Sequence, residues 1–235
     1  MAARPLLLGH RGARKYAPEN TIEAFQMALE HGCDGFEFDG RLTADGRAVI
    51  CHDPKFCGVP VAKSNYQMLI DVAGKRGREI AVLEDVLRLG KRAFLNIELK
   101  VAGAEELVLE LLKKQAAEKG VIVSSFLPKV IERLGELGAE APLGLICENP
   151  RQLAKWKELP IQALMLKRTL VNRRVIERIR TTPLKQKEGV NGAPETPPRI
   201  FVWTVNSARE MSKFAEMGLD GIISDDTKLL VKTLG

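Results

Sequence analysis

Aromatic residues are scarce in this chain: Phe, Trp and Tyr make up 5% of 235 residues, so aliphatic side chains must fill most of any core. Cysteine is limited to Cys33, Cys51, Cys57 and Cys147, with no C-x-x-C pair. That spacing excludes a zinc ribbon and a disulfide scaffold, and reads as reduced, mostly buried thiols in a reducing compartment. No apolar run approaches the roughly 20 residues of a bilayer-spanning helix, so stable membrane insertion is not expected. The opening "MAARPLLLGHRG" has too short an apolar part for a signal peptide, and cytoplasmic residence is the expectation. Internal repeats and low-complexity tracts are lacking as well.

What remains is a globular composition, 45% hydrophobic and 28% charged, with a formal net charge of +6. Lys and Arg are interspersed with Asp and Glu and are densest over 166–187, where apolar residues keep helical spacing. Such a stretch reads as a solvated helix face, not a nucleic-acid surface, and the positive balance also suits a phosphorylated small molecule.

Short apolar runs suited to buried parallel strands occur at 5–10, 35–40, 94–100, 121–126, 142–147, 161–167, 199–205 and 219–225. Helical patterns lie between them at 21–31, 83–89, 104–118, 128–137, 152–158, 172–180 and 208–217, and a last one covers 228–234. Asn20 followed by Glu23 reads as a capping box for the first helix, and Gly32, Gly120, Gly138 and Gly218 end helical patterns. Eight strand-then-helix units predict a single α/β domain over 1–235, a (β/α)8 TIM barrel. A doubly wound sheet is the alternative, but no G-x-G-x-x-G follows the first strand. Asp45-Gly46 between alternating runs predicts a β-hairpin extension over 41–53 after the second strand, returning His52 to the strand end. The Pro- and Gly-rich 181–198 reads as a flexible loop.

In such a barrel the carboxyl ends of the strands converge on one mouth, where active sites lie. That filter selects His10 and Arg11, Glu37 and Asp39, His52, Glu98 and Lys100, and Trp203. Glu37 and Asp39 leave the same face of their strand. Three carboxylates meeting inside a barrel make sense around a shared divalent cation, and an all-oxygen shell selects Mg²⁺ or Ca²⁺. The competing reading is a set of structural ion pairs with Lys100 and Arg11. His10 and His52 suit acid–base work, Arg11 and Lys100 would hold a phosphoryl group, and His31 is placed as a partner for a helix dipole.

The segments "GHRGARKYAPENTIEAF", "DGFEFDGRLTADGRAVICHD", "NIELK", "SSF", "FVWTVN" and "GLDGIISD" occur in an order and spacing that resembles the bacterial glycerophosphodiester phosphodiesterases. That resemblance implies metal-dependent hydrolysis of glycerophosphodiesters to sn-glycerol 3-phosphate and an alcohol, with attack by the glycerol 2-hydroxyl through a cyclic phosphate. It implies Glu37, Asp39 and Glu98 as metal ligands, and His10 and His52 as the acid–base pair, with His10 as acid and His52 as base. Arg11 and Lys100 become the phosphate clamp, Trp203 a wall for the glycerol moiety, and Glu19 a residue orienting Arg11 or His10. Relatives carry a longer stretch with an Arg-Thr-Thr element after "HDP", which is compressed here, so 54–82 reads as a shortened family insertion. Two other functions remain: phospholipase D-like action on lysophospholipids, and a non-catalytic phosphate- or nucleic-acid-binding barrel.

Overall fold

A computed structural model describes residues 4–115, 117–182 and 196–235. The chain runs β1 (Leu6–His10), α1 (Ile22–Glu30), β2 (Gly35–Leu42), β3 (Ala48–Ile50), β4 (Lys55–Phe56), β5 (Val59–Pro60), α2 (Tyr66–Gly74) and α3 (Leu83–Leu89). It continues β6 (Phe94–Leu99), α4 (Glu105–Lys114), β7 (Val121–Ser125), α5 (Pro128–Glu136), β8 (Leu143–Cys147), α6 (Pro150–Ala154) and β9 (Ala163–Lys167). The end is α7 (Arg173–Thr181), β10 (Arg199–Trp203), α8 (Ala208–Glu216), β11 (Gly221–Ser224) and α9 (Thr227–Leu234).

Eight of the strands are parallel neighbours in the order β1, β11, β10, β9, β8, β7, β6, β2, and pairing of β1 with β2 closes them into the expected TIM barrel. Each has side chains packed on both faces, which is why each reads as an apolar run instead of an alternation. Inside, Leu8, Phe94, Ile122, Ile146, Met165, Phe201 and Ile223 fill the barrel. Outside, the helices bury one stripe each: in α1, Phe25 stacks on Phe36 of β2 with centroids 4.5 Å apart. Full burial of such a side chain contributes about 1.5–3 kcal/mol.

The hairpin forms as expected. β3 pairs antiparallel with β2, Gly40 opposite Ile50, and Thr43 donates to Asp45 Oδ1 at the turn. Cys51 N–H then donates to Asp39 O at 2.9 Å, and the Arg41 guanidinium donates to His52 O from Nε and Nη2. These bonds hold His52 at the mouth.

The structure revises several local expectations. Asn20 is not the cap of α1; Thr21 is, its side chain accepting from Ala24 N–H. Asn20 instead sits buried in the left-handed region (φ 60°) and serves Asp39. The expected helix at 152–158 is α6 followed by a 3-10 turn over Lys155–Glu158. His31 stands at the C-cap of α1, where its Nδ1 bonds to Thr227 Oγ1 at 2.7 Å, and burial and Lys228 lower its pKa. The 54–82 stretch contains α2, capped by Asn65, and a small core of its own around Phe56, Val61, Leu69 and Ile80. Of the loop read at 181–198, residues 183–195 lie outside the described residues.

Candidate active site

β1 ends at His10, and the chain leaves it through two left-handed residues, Arg11 (φ 54°) and Gly12 (φ 81°). A Cβ at Gly12 would sit 2.6 Å from the Ala24 carbonyl carbon, so only glycine lets the chain turn this close to α1. The turn directs Arg11 N–H to Glu37 Oε2 at 3.0 Å and brings Arg11 Nη1 to Glu19 Oε1 at 2.9 Å. Arg11 Nε lies 3.1 Å from Asp39 Oδ2, and Glu19 also holds Arg14. Glu19 thus touches Arg11, the contact that the orienting role expected of it requires.

Glu37 and Asp39 leave the same face of β2, and Asp39 stands directly across from Glu98 of β6. All three are buried, and each offers an oxygen within 4.8 Å of the others'. Burial, then the Asp39 and Glu98 charges, push the Glu37 carboxyl well above its ordinary value. Burial and Asp39 likewise raise Glu98 to about 7, although Lys100 opposes this. Asp39 moves the other way: burial would raise it, but Lys100 and Arg11 together outweigh burial and lower it. Lys100 Nζ lies 2.6 Å from Glu98 Oε1 and 3.3 Å from Asp39 Oδ1.

The ion pairs of the competing structural reading are therefore present, yet they leave the cluster short of positive charge. Glu98 Oε1, despite its nearness to Lys100, has no aligned hydrogen bond, and neither has buried Arg11 Nε. Three buried carboxylates with a charge deficit and no nitrogen or sulfur donor fit a hard divalent cation.

His10 Nδ1 lies 2.6 Å from Asp225 Oδ1, and its Nε2 is 3.9 Å from Glu37 Oε2. Burial opposes ionisation of Asp225, but the His10 bond and charge, the Asn206 bond and Arg14 together outweigh it and lower the carboxyl; an ionised carboxylate only accepts, so the proton between them sits on Nδ1. In the neutral ring Nε2 then carries no proton. Burial, helped by Arg11, lowers the His10 pKa against the opposing pull of Asp225. Asn206 braces Asp225, its Nδ2 donating to Oδ2 at 2.7 Å and its Oδ1 accepting from the Asp225 N–H. His52 Nδ1 lies 2.8 Å from Asp53 Oδ1.

His10, Arg11, Glu37, His52, Glu98, Lys100 and Trp203 all line one cavity of ≈ 440 Å³. Asp39 and Glu19 stand behind it, touching Arg11. Trp203 is pinned by its Nε1–H donating to Met165 O at 2.9 Å and meets Phe126 edge-on, with centroids 5.7 Å apart. Sequence reasoning left out Asp225 and Glu148, each one residue past a strand end, although the filter that found His10 covers both. Asn20 was assigned to a helix cap instead.

The family model for the glycerophosphoryl diester phosphodiesterase family matches residues 10–229. A glycerophosphodiester phosphodiesterase of Caldanaerobacter subterraneus subsp. tengcongensis is 30% identical over 97% of both chains. The crystal structure of a glycerophosphodiester phosphodiesterase from Thermotoga maritima superposes with a TM-score of 0.78 at 27% identity, covering 99% of each chain. An Oleispira antarctica phosphodiesterase in complex with the product sn-glycerol-3-phosphate shares the fold, with a TM-score of 0.80 over 98% of this chain and 96% of the other at 21% identity. With the family model spanning nearly the whole barrel, the chain belongs to the glycerophosphoryl diester phosphodiesterase family.

Proposed function

We propose that this protein hydrolyses glycerophosphodiesters to sn-glycerol 3-phosphate and an alcohol, with a Mg²⁺ or Ca²⁺ ion held by Glu37, Asp39 and Glu98. The observation that carries this reading is one cavity lined by His10, His52, Arg11, Lys100, Glu37 and Glu98, with Asp39 completing the carboxylate cluster behind it. A bound divalent cation would neutralise charge on the phosphoryl oxygens and stabilise the transition state. Arg11 and Lys100 hold the remaining phosphate charge.

The glycerol 2-hydroxyl attacks phosphorus. One imidazole takes its proton while the other gives a proton to the departing alkoxide, so one O–P bond forms as another breaks and a cyclic phosphate remains. Water opens the ring with the imidazole roles exchanged, and both rings return to their starting state. The Asp225 contact supports His10 in this work, because it fixes Nε2 as the nitrogen facing the carboxylates.

A panel of glycerophosphodiesters assayed in EDTA, then with each cation restored, tests the proposal. Turnover should vanish in EDTA and return with Mg²⁺ or Ca²⁺. No turnover of any panel member with any cation overturns it, and preference for lysophosphatidylcholine over glycerophosphocholine would favour the phospholipase D-like reading.

A further inference from the structure

The active-site cavity has two unlike halves. Its charged half lies at the ends of β1, β2 and β6; its other wall is apolar, built from Phe126, Ile146, Met165, Trp203 and Ile223. Two polar side chains interrupt that wall: Glu148, just beyond β8, and Gln152 of α6. Glu148 is the one carboxylate lining the cavity outside the metal cluster, among the described residues.

Gln152 is held in place by its neighbours. Gln152 Oε1 accepts from Glu148 N–H at 2.9 Å and from Asn149 Nδ2 at 3.0 Å, while Asn149 Oδ1 accepts from Gln152 N–H at 3.0 Å. Gln152 Oε1 is thus committed to the protein, which leaves its Nε2–H₂ group for the cavity. Glu148 Oε2 lies 4.0 Å from Lys167 Nζ, with both side chains about half exposed. A carboxylate already beside an ammonium is a poor receptor for a cationic head group, but it remains a good acceptor for a hydroxyl.

Resting on the function proposed above, we infer that Glu148 and Gln152 form the subsite for the terminal hydroxyl of glycerol. With phosphate at Arg11 and Lys100 and the 2-hydroxyl turned to phosphorus, that hydroxyl is the glycerol group left facing the apolar wall. Glu148 accepts its proton in a hydrogen bond and Gln152 Nε2 donates to its oxygen. The apolar wall packs the carbon chain, and the pair distinguishes glycerol from shorter diols.

The test uses sn-glycerol 3-phosphate and 2-hydroxyethyl phosphate, which differ by the terminal CH₂OH, as calorimetric ligands with Mg²⁺ or Ca²⁺ present. The wild-type protein should bind the glycerol ester tighter by about tenfold or more, the worth of a hydrogen bond to a charged group. Glu148→Ala should bind the two alike, and Lys167→Ala, which breaks the same ion pair but keeps the carboxylate, should retain the preference. Unchanged discrimination in Glu148→Ala overturns the inference while leaving the phosphodiesterase reading intact. An effect of Glu148→Ala on turnover of glycerophosphocholine but not of glycerophosphoglycerol also overturns it, since Glu148 would then read the head group's charge. Failure of the wild-type protein to bind either ester removes the phosphate site itself and both readings with it.

Discussion

His10 and His52 reach one cavity by different routes, and their supports predict different mutant behaviour. His52 hangs from the hairpin by bonds to its backbone carbonyl, so its ring can be removed without disturbing the barrel. His52→Ala should keep the wild-type Tm and cation affinity while kcat falls by a factor on the order of 10² to 10⁴; near-normal turnover would remove His52 from the reaction. His10 depends on Asp225 for its tautomer and direction. Asp225→Asn should lower kcat on the order of 10²-fold with little change in KM. It should also move one imidazole's ¹⁵N signals, a resolvable change in a chain with three histidines. Unmoved signals would show that Asp225 does not set the His10 tautomer. Asp225 was as legible as His10, since both follow an apolar run at its carboxyl end. Asn20 was misread because a helix cap and a carboxylate partner call for the same short amide, and Thr21 beside it suits the cap equally well.

At the scale of elements, the eight parallel strands were readable because burial on both faces leaves an uninterrupted apolar run with a polar end. The helix α2 was not, as nine residues with exposed Met68 and Ile70 present a weak stripe, although Asn65 marked its start. The register of β2 against β6 decides whether Asp39 and Glu98 meet, and Gly35 is its fixed point. A Cβ there would fall 1.8 Å from Phe94 O, inside the contact between the two strands. Gly35→Ala should cost about 3 kcal/mol or more, an overpacking effect at the upper end of the range. Denaturant midpoints measure it; a loss below 1 kcal/mol would mean that the strand shifts freely, and the carboxylate geometry with it.

For the whole molecule, the carboxylate cluster should link stability to pH and, under the proposed function, to cation. The folded-state pKa of Glu98, about 7, lies above the roughly 4.3 of an unfolded chain, and Glu37 is displaced in the same direction. Between those values the metal-free fold binds more protons than the unfolded chain. The stability contributed by these groups is therefore complete below about pH 4.3 and lost as pH rises toward 7. A cation that occupies the cluster competes with those protons. The Tm difference between Mg²⁺- or Ca²⁺-loaded and EDTA-treated protein should widen from pH 5 to pH 8. At a hundredfold excess over Kd it should reach about 2.7 kcal/mol, or roughly 5–10 °C in a chain of this length. A difference that stays flat with pH would place the cation elsewhere.

Local sequence is enough to set which segments become strands, in what order, and which polar residues stand at their ends, because parallel strands are buried runs and only their ends can carry charge. No helix among the described residues is long and apolar enough to cross a membrane, in keeping with the absence of a long apolar run. Tertiary structure alone decided which of those ends meet. Closure of β1 on β2 sets His10 against Glu37, and β11 brings Asp225 to His10 from 215 positions away. The apolar wall around Glu148 and Gln152 was hidden for a related reason: Ile146 and Met165 read as core in the sequence, and only curvature of the barrel turns them toward a substrate.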